Sequence, residues 1–393
     1  MSFLEESKAL LPELVALRRA LHAEPELGLD LPKTQNRILE SLEGLGLEIT
    51  LGQKSTSVVA VLRGAKAGPS VLLRGDMDAL PVKELTDLDY ASTNGSMHAC
   101  GHDLHVAGLV GAARLLAAHR EELAGDVIFM FQPGEEGDGG AGIMIEEGVL
   151  DAAGERPVAA YGIHVAPGPM GTFSTRSGPL LAGANELRVT VHGSGGHGSQ
   201  PHTAKDPVPA LAAIVSALQN MATRSFSVFD PIVLTVTQLE AGQAINVIPD
   251  TARLGATVRT LSRESVDKLI TETKALADGI AAAHGCTAEV SFEVRYPVTM
   301  NDGGRTREAI AELRGLFGHD RVLEAENPLM GSEDFSLVLD EVPGTFLFLA
   351  CTPAGIDPKT AAWNHSPRVL FDDGVLGDQA AALAQLAYNR LTA

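Results

Sequence analysis

Short uninterrupted apolar runs alternate with segments of helical period along the first part of the chain. SVVAVL (57–62) and SVLLRGD (70–76) read as strands, Leu104 to Leu123 repeats its apolar positions at helical spacing, and DVIFMFQ (126–132) and VAAYGIHV (158–165) read as strands again. Such alternation predicts an α/β fold, a largely parallel mixed sheet flanked by helices. The pattern changes after Leu181. NELRVTVHG, a helical stretch from Pro207 to Ala222, PIVLTVTQLE, TARLGATVRTL, a second helix from Glu264 to His284 and TAEVSFEVRY spell β-α-β-β-α-β, the order of a ferredoxin-like α+β module. FLFLAC (346–351) then resumes the buried-strand composition, and Gln379 to Leu391 is helical. The predicted organisation is one α/β domain formed by residues 1–181 and 297–393, interrupted by an inserted α+β domain of residues 182–296.

Composition narrows the class. With 393 residues, 45% of them hydrophobic, the chain can bury one large core and a smaller one. A formal net charge of -20 excludes nucleic acid and anionic membrane as partners, because those surfaces recruit Lys and Arg clusters. The first 25 residues mix Glu, Lys and Arg into an apolar helical period, unlike a signal peptide, and no segment offers the roughly 20 consecutive apolar residues of a membrane helix. A soluble, cytoplasmic protein is expected. Three widely spaced cysteines, Cys100, Cys286 and Cys351, make poor material for a disulfide framework. Cys286 and Cys351 sit in apolar context and read as core, while His22, His119, His284 and His319 lack neighbouring donors and read as surface.

The remaining polar residues fall in telling places. Asp76 and Asp78 (RGDMDALP), Glu135 and Glu136 (FQPGEEG) and His164 (YGIHVAP) each stand where an apolar strand run ends, the position at which parallel α/β sheets bind ligands. HACGHDLH carries Cys100, His102 and His105 on a loop before a helix, and His365 lies in the Pro-bounded WNHSP. Cys100, His102, Glu136, His164 and His365 form a donor set suited to zinc-like metals, and five candidates suggest two ions with a shared ligand. The adjacent glutamates divide two tasks of amide hydrolysis: one carboxylate binds metal, while the other takes a proton from the attacking water and delivers it to the leaving nitrogen. Singly, each of these residues has a plain structural reading. Their coincidence at four strand or helix ends selects chemistry. No Walker loop and no G-x-S-x-G elbow is present, which disfavours phosphate binding and a serine hydrolase.

RGDMDALP, HACGHDLHVA, FQPGEEG, YGIHV, GGHGSQPH, INVIPD, GSEDFS and NHSP occur in the order found in the M20 metallopeptidase family, from about His22 to Asp373. They resemble its amidohydrolase branch of hippurate hydrolases, N-acyl-amino-acid amidohydrolases and auxin-conjugate hydrolases. The resemblance implies one or two divalent ions per subunit (zinc, manganese, cobalt or nickel) on Cys100, His102, Glu136, His164 and His365, with the Cys100 thiolate bridging and Glu135 as general base. The wider family has His-x-Asp at Asp76-Met77-Asp78 and a bridging Asp at Cys100; both departures match the amidohydrolase branch. Asp78 then orients a ligand instead of binding metal. By the same likeness the inserted module is a lid or dimerisation domain supporting a homo-oligomer, dimer or tetramer. His197 and Asn246 would stabilise the oxyanion, His197 from its own or a partner subunit. His202, Arg259 and Glu333 are candidates for substrate contact, Arg259 through a bidentate grip on a carboxylate. The implied reaction is metal-dependent hydrolysis of small N-acyl amino acids of acetyl or benzoyl type. Two alternatives keep the same donors: an M20-type carboxypeptidase or dipeptidase, and a non-catalytic metal-binding protein.

Overall fold

The computed structural model describes residues 2–392. The chain opens with α1 (Phe3–Ala23), α2 (Pro32–Leu42), β1 (Glu48–Leu51), β2 (Val58–Leu62), β3 (Lys66–Asp76), α3 (His102–Ala118) and β4 (Ala124–Gln132). Next come α4 (Gly140–Glu146), β5 (Ala159–Ala166), β6 (Phe173–Thr175), β7 (Gly178–Leu181), β8 (Gly183–His192), β9 (Gly196–His197), α5 (Pro207–Arg224), β10 (Val233–Ala241) and β11 (Val247–Ile248). The remainder is β12 (Thr251–Thr260), α6 (Arg263–Ala283), β13 (Thr287–Tyr296), β14 (Thr299–Asn301), α7 (Gly303–Phe317), β15 (Val322–Glu324), α8 (Ser336–Glu341), β16 (Gly344–Ala350) and α9 (Leu376–Thr392).

Two compact units result. The first comprises residues 1–180, 300–327 and 334–393, and the second residues 181–299 and 328–333. In the first, an eight-stranded sheet has the order β1-β2-β4-β3-β5-β16-β6-β15, with β4, β3, β5 and β16 mutually parallel. Every residue of β2 and the last seven of β3 are buried, which is why they read as unbroken apolar runs instead of alternating ones. α1, α3 and α9 pack together, and α3 and α9 lie on β3. Gly111 of α3 makes that approach possible: a Cβ there would stand 2.7 Å from the Ala380 Cβ of α9. The helix predicted from Leu104 begins two residues earlier, so His102 opens it, and it ends at Ala118 before a single 3-10 turn, Arg120–Glu122.

The second unit is a four-stranded antiparallel sheet, β10-β12-β8-β13, with α5 and α6 packed on it. Leu187, Val189 and Val191 of β8 are buried while Arg188 and His192 are exposed, the period-2 signature of a sheet covered on one face. Both helices start at side-chain caps: Asp206 accepts from Val208 N–H (2.9 Å) and Ser262 from Ser265 N–H (3.0 Å).

Candidate metal centre

The parallel strands of the larger unit bring their carboxyl ends to one edge. Asp76 ends β3, Glu135 and Glu136 follow β4, His164 lies near the end of β5, and His365 follows β16. Cys100 and His102 arrive from the start of α3, which follows β3 in sequence. Two backbone features aim them. Gly101 takes φ +88°, where a Cβ would meet Val165 Cγ2 at 2.4 Å, and this left-handed residue separates Cys100 from His102. Among the described residues His365 is the one non-glycine with positive φ, at 70°, a conformation that costs about 1–2 kcal/mol. Its N–H donates to Ala99 O (2.9 Å), fixing its loop against the Cys100 turn.

The donor atoms then converge. Cys100 Sγ is 3.4 Å from His164 Nε2. Glu136 Oε1 is 3.2 Å from His365 Nε2 and 3.9 Å from His102 Nε2. Ligand atoms of Cys100, Glu136 and His365 lie within 4.8 Å of one another, as do those of His102, Glu135 and Glu136. Metal–ligand bonds of 2.0–2.3 Å imply edges of roughly 3.3–3.8 Å in a tetrahedron, so these separations match neighbouring ligands of a cation. Both His102 ring nitrogens and Glu136 Oε1 are buried without a hydrogen bond. Buried polar atoms are rarely left so; a divalent cation would engage His102 Nε2 and Glu136 Oε1, while His102 Nδ1 faces Asp78 Oδ1 at 3.4 Å. The donor set fits such an ion.

Hydrogen bonding separates the histidines that keep a nitrogen free for an ion from the one that does not. His164 Nδ1 lies 2.7 Å from Val165 O, which can only accept, so the proton is on Nδ1 and the Nε2 lone pair faces Cys100. His105 also faces this cluster, but its Nε2 accepts from Val165 N–H (2.8 Å) and its Nδ1 bonds Asp76. With both nitrogens engaged, His105 is a support. Asp76 is likewise committed, to His105 and to Arg74 Nη1 at 2.6 Å. Asp78 accepts from the backbone N–H groups of Glu135 (3.1 Å) and Glu136 (3.0 Å) and lies 3.4 Å from His102 Nδ1, so one carboxylate fixes the loop that bears both glutamates.

Electrostatics follow from this arrangement. Burial opposes ionisation of Asp76, yet Arg74 and the facing histidines hold its carboxyl well below the usual range. Burial would lower His102, but Asp76 and Asp78 outweigh it and hold the ring well above its ordinary value. At His164 burial, reinforced by His105, keeps the ring well below its ordinary value, hence neutral. Burial pushes the Cys100 thiol up to about 12. The carboxylates around His102 thus favour positive charge there, and His164 keeps a free lone pair; a bound ion must displace the protons of the Cys100 thiol and the His102 ring.

Behind α3 stands a buried network that the sequence did not reveal. Arg18 Nε is 2.8 Å and His22 Nδ1 2.7 Å from Asp103, the residue after His102. His22 is therefore a buried core residue, contrary to the expectation of a surface position, because its partner lies 81 positions away. Cys286 and Cys351 are buried as expected, and His284 and His319 are exposed.

The other predicted residues lie in the second unit. His197 on β9 pairs with Val247 on β11, and Gly198 N–H donates to Asn246 O (2.8 Å), so His197 and Asn246 stand on adjoining segments with both side chains exposed. His202 is exposed on the turn Pro201–Thr203. Arg259 is half-buried on β12 and bonds Thr257 Oγ1 (2.9 Å), and Glu333 is buried in the 328–333 segment.

Known proteins resemble the chain along nearly its whole length. The profile of Peptidase family M20/M25/M40 matches residues 72–389. N-acetylcysteine deacetylase of Bacillus subtilis is 36% identical over 383 residues, covering 97% of each chain. Thermostable carboxypeptidase 1 of Saccharolobus solfataricus is 38% identical over 381 residues, covering 95% of this chain and 94% of that one. Among solved structures, the Bacillus subtilis YXEP protein, described as a dinuclear metal binding peptidase from the M20 family, has a TM-score of 0.84 at 34% identity and covers 98% of this chain and 99% of its own. With a matched profile over most of its length and relatives of this similarity, the chain belongs to peptidase family M20/M25/M40 and is a metal-dependent amidohydrolase.

Proposed function

We propose that this enzyme hydrolyses the amide bond of N-acyl amino acids, with Cys100, His102, Glu136, His164 and His365 holding one or two divalent ions and Glu135 moving the proton. The observation that carries the reading is the convergence on Cys100 Sγ of His164 Nε2, at 3.4 Å, and of Glu136 and His365, within 4.8 Å. A divalent ion held by these residues would supply Lewis acidity for the amide carbonyl and the attacking water. Zinc, manganese, cobalt and nickel all suit the donors. Glu135, beside Glu136 on a loop pinned by Asp78, accepts the water proton and returns it to the leaving nitrogen. Asp78 also holds the His102 ring in line.

His197 and Asn246 supply oxyanion donors in this reading, Arg259 receives the substrate carboxylate, and His202 and Glu333 contact the substrate elsewhere. Val228, Phe229 and Ile245 of the second unit are almost fully exposed apolar side chains, which supports self-association as a homodimer or higher homo-oligomer. A cytoplasmic setting, which keeps thiols reduced, suits three free cysteines. Among the described residues no helix is long and apolar enough to cross a membrane.

Two observations bear on the alternatives. A closed structural site has all its ligands enclosed, whereas the His365 side chain is 56% exposed, which favours catalysis. Similarity to a carboxypeptidase supports peptides as the second substrate class. A panel of N-acetyl and N-benzoyl amino acids and of dipeptides, assayed with and without chelator, decides between them. Chelator-sensitive release of free amino acid from the acylated set, faster than from peptides, is expected; the reverse preference assigns a carboxypeptidase or dipeptidase.

A further inference from the structure

Asn364, beside His365 in WNHSP, has no role in the reading above. Its side chain is wedged between the Cys100 turn and the end of β5: Nδ2 is 3.1 Å from Cys100 O, 3.2 Å from Val165 O and 3.7 Å from Cys100 Sγ. The amide orientation is fixed by chemistry. Rotating the group would set Oδ1 against two carbonyl oxygens, so the NH2 must face them, leaving its two hydrogens to serve three acceptors. Oδ1 on the opposite side is buried with no hydrogen-bond partner. An unsatisfied buried acceptor costs roughly 1–3 kcal/mol, and that cost is accepted to place a donor at this point.

We propose that Asn364 is a positioning residue that donates an N–H···S hydrogen bond to the Cys100 thiolate, setting the sulfur's direction and its donor strength toward the ions. This rests on Cys100 being a metal ligand. By tying Cys100 O and Val165 O together, the same amide holds the Cys100 turn against the end of β5, so Sγ and His164 Nε2 keep their 3.4 Å separation. Donation to sulfur withdraws electron density, so a thiolate that has lost the contact is a stronger electron donor to a bound cation.

Cobalt(II) alone is the probe, because a thiolate ligand gives it a sulfur-to-metal charge-transfer band. The wild-type protein, Asn364→Leu and Asn364→Asp are stripped, checked by circular dichroism and titrated with cobalt(II). Leu removes the donor at nearly constant volume, and Asp removes it while keeping the shape, so either folded variant suffices. With the sulfur no longer held toward the ion, both are expected to bind cobalt about 10- to 100-fold more weakly, and at saturation the stronger donor should show the band at longer wavelength. A band unmoved at saturation, even with weaker binding, means that Asn364 only braces the loop and overturns the inference. No charge-transfer band in the wild-type protein instead removes Cys100 from the ligand set and overturns the functional reading itself.

Discussion

His102 and His105 sit three positions apart on one helix, yet only one of them is available to a cation. The difference lies in their partners: His105 gives Nδ1 to Asp76 and Nε2 to Val165 N–H, while neither His102 nitrogen makes a hydrogen bond. Sequence supplies both rings; the backbone amide that occupies one of them is visible only in the fold. His22 teaches the same lesson from the other direction. It shares a helix face with Arg18 four residues earlier, beside buried Leu14 and Leu21, and that stripe was the available signal. Reading polar residues in the stripe as solvated failed because Asp103 pairs with both from across the core. Removing one partner of a buried ion pair strands the other charge, so Arg18→Ala should cost about 3–5 kcal/mol. Urea unfolding checks this, and a loss under 1 kcal/mol, on the scale of an exposed pair, would mean that water reaches Asp103.

At the scale of elements, the site was legible because parallel strands buried on both faces leave little room for polar side chains except at their ends. Asp76, Glu135 and His164 stood out against apolar runs for that reason, whereas the β-α-β-β-α-β order of the second unit showed in its switches between strand and helical period. What stayed hidden depended on local conformation. The positive φ of His365 and the left-handed Gly101 cannot be read from composition, and the grouping of residues 328–333 with the second unit has no signature in periodicity. Gly101 offers a test of the turn. Alanine there combines a left-handed backbone with a 2.4 Å approach to Val165 Cγ2, and about 2 kcal/mol or more of stability should be lost. Because the turn also sets Cys100 against His102, metal affinity measured by competition with a chelator should fall as well. Unchanged affinity would show that the two donors find their places without the turn.

For the whole molecule, the family resemblance added what periodicity could not: roles for His197, Asn246 and Arg259, which otherwise read as turn or sheet-face residues. The roles proposed in the larger unit have physical grounds as well, since donors from four separate strand or helix ends meet there, among them buried atoms that make no hydrogen bond. In the proposed mechanism Glu135 moves the proton while five other side chains hold the ions. Metal content and turnover of an N-acetyl amino acid, measured together on purified wild-type and Glu135→Gln protein, test it most directly. Glutamine keeps the size but cannot take a proton, so undiminished metal content with turnover reduced by at least about 100-fold is the predicted result. Turnover close to wild type, with the metal still bound, would contradict it.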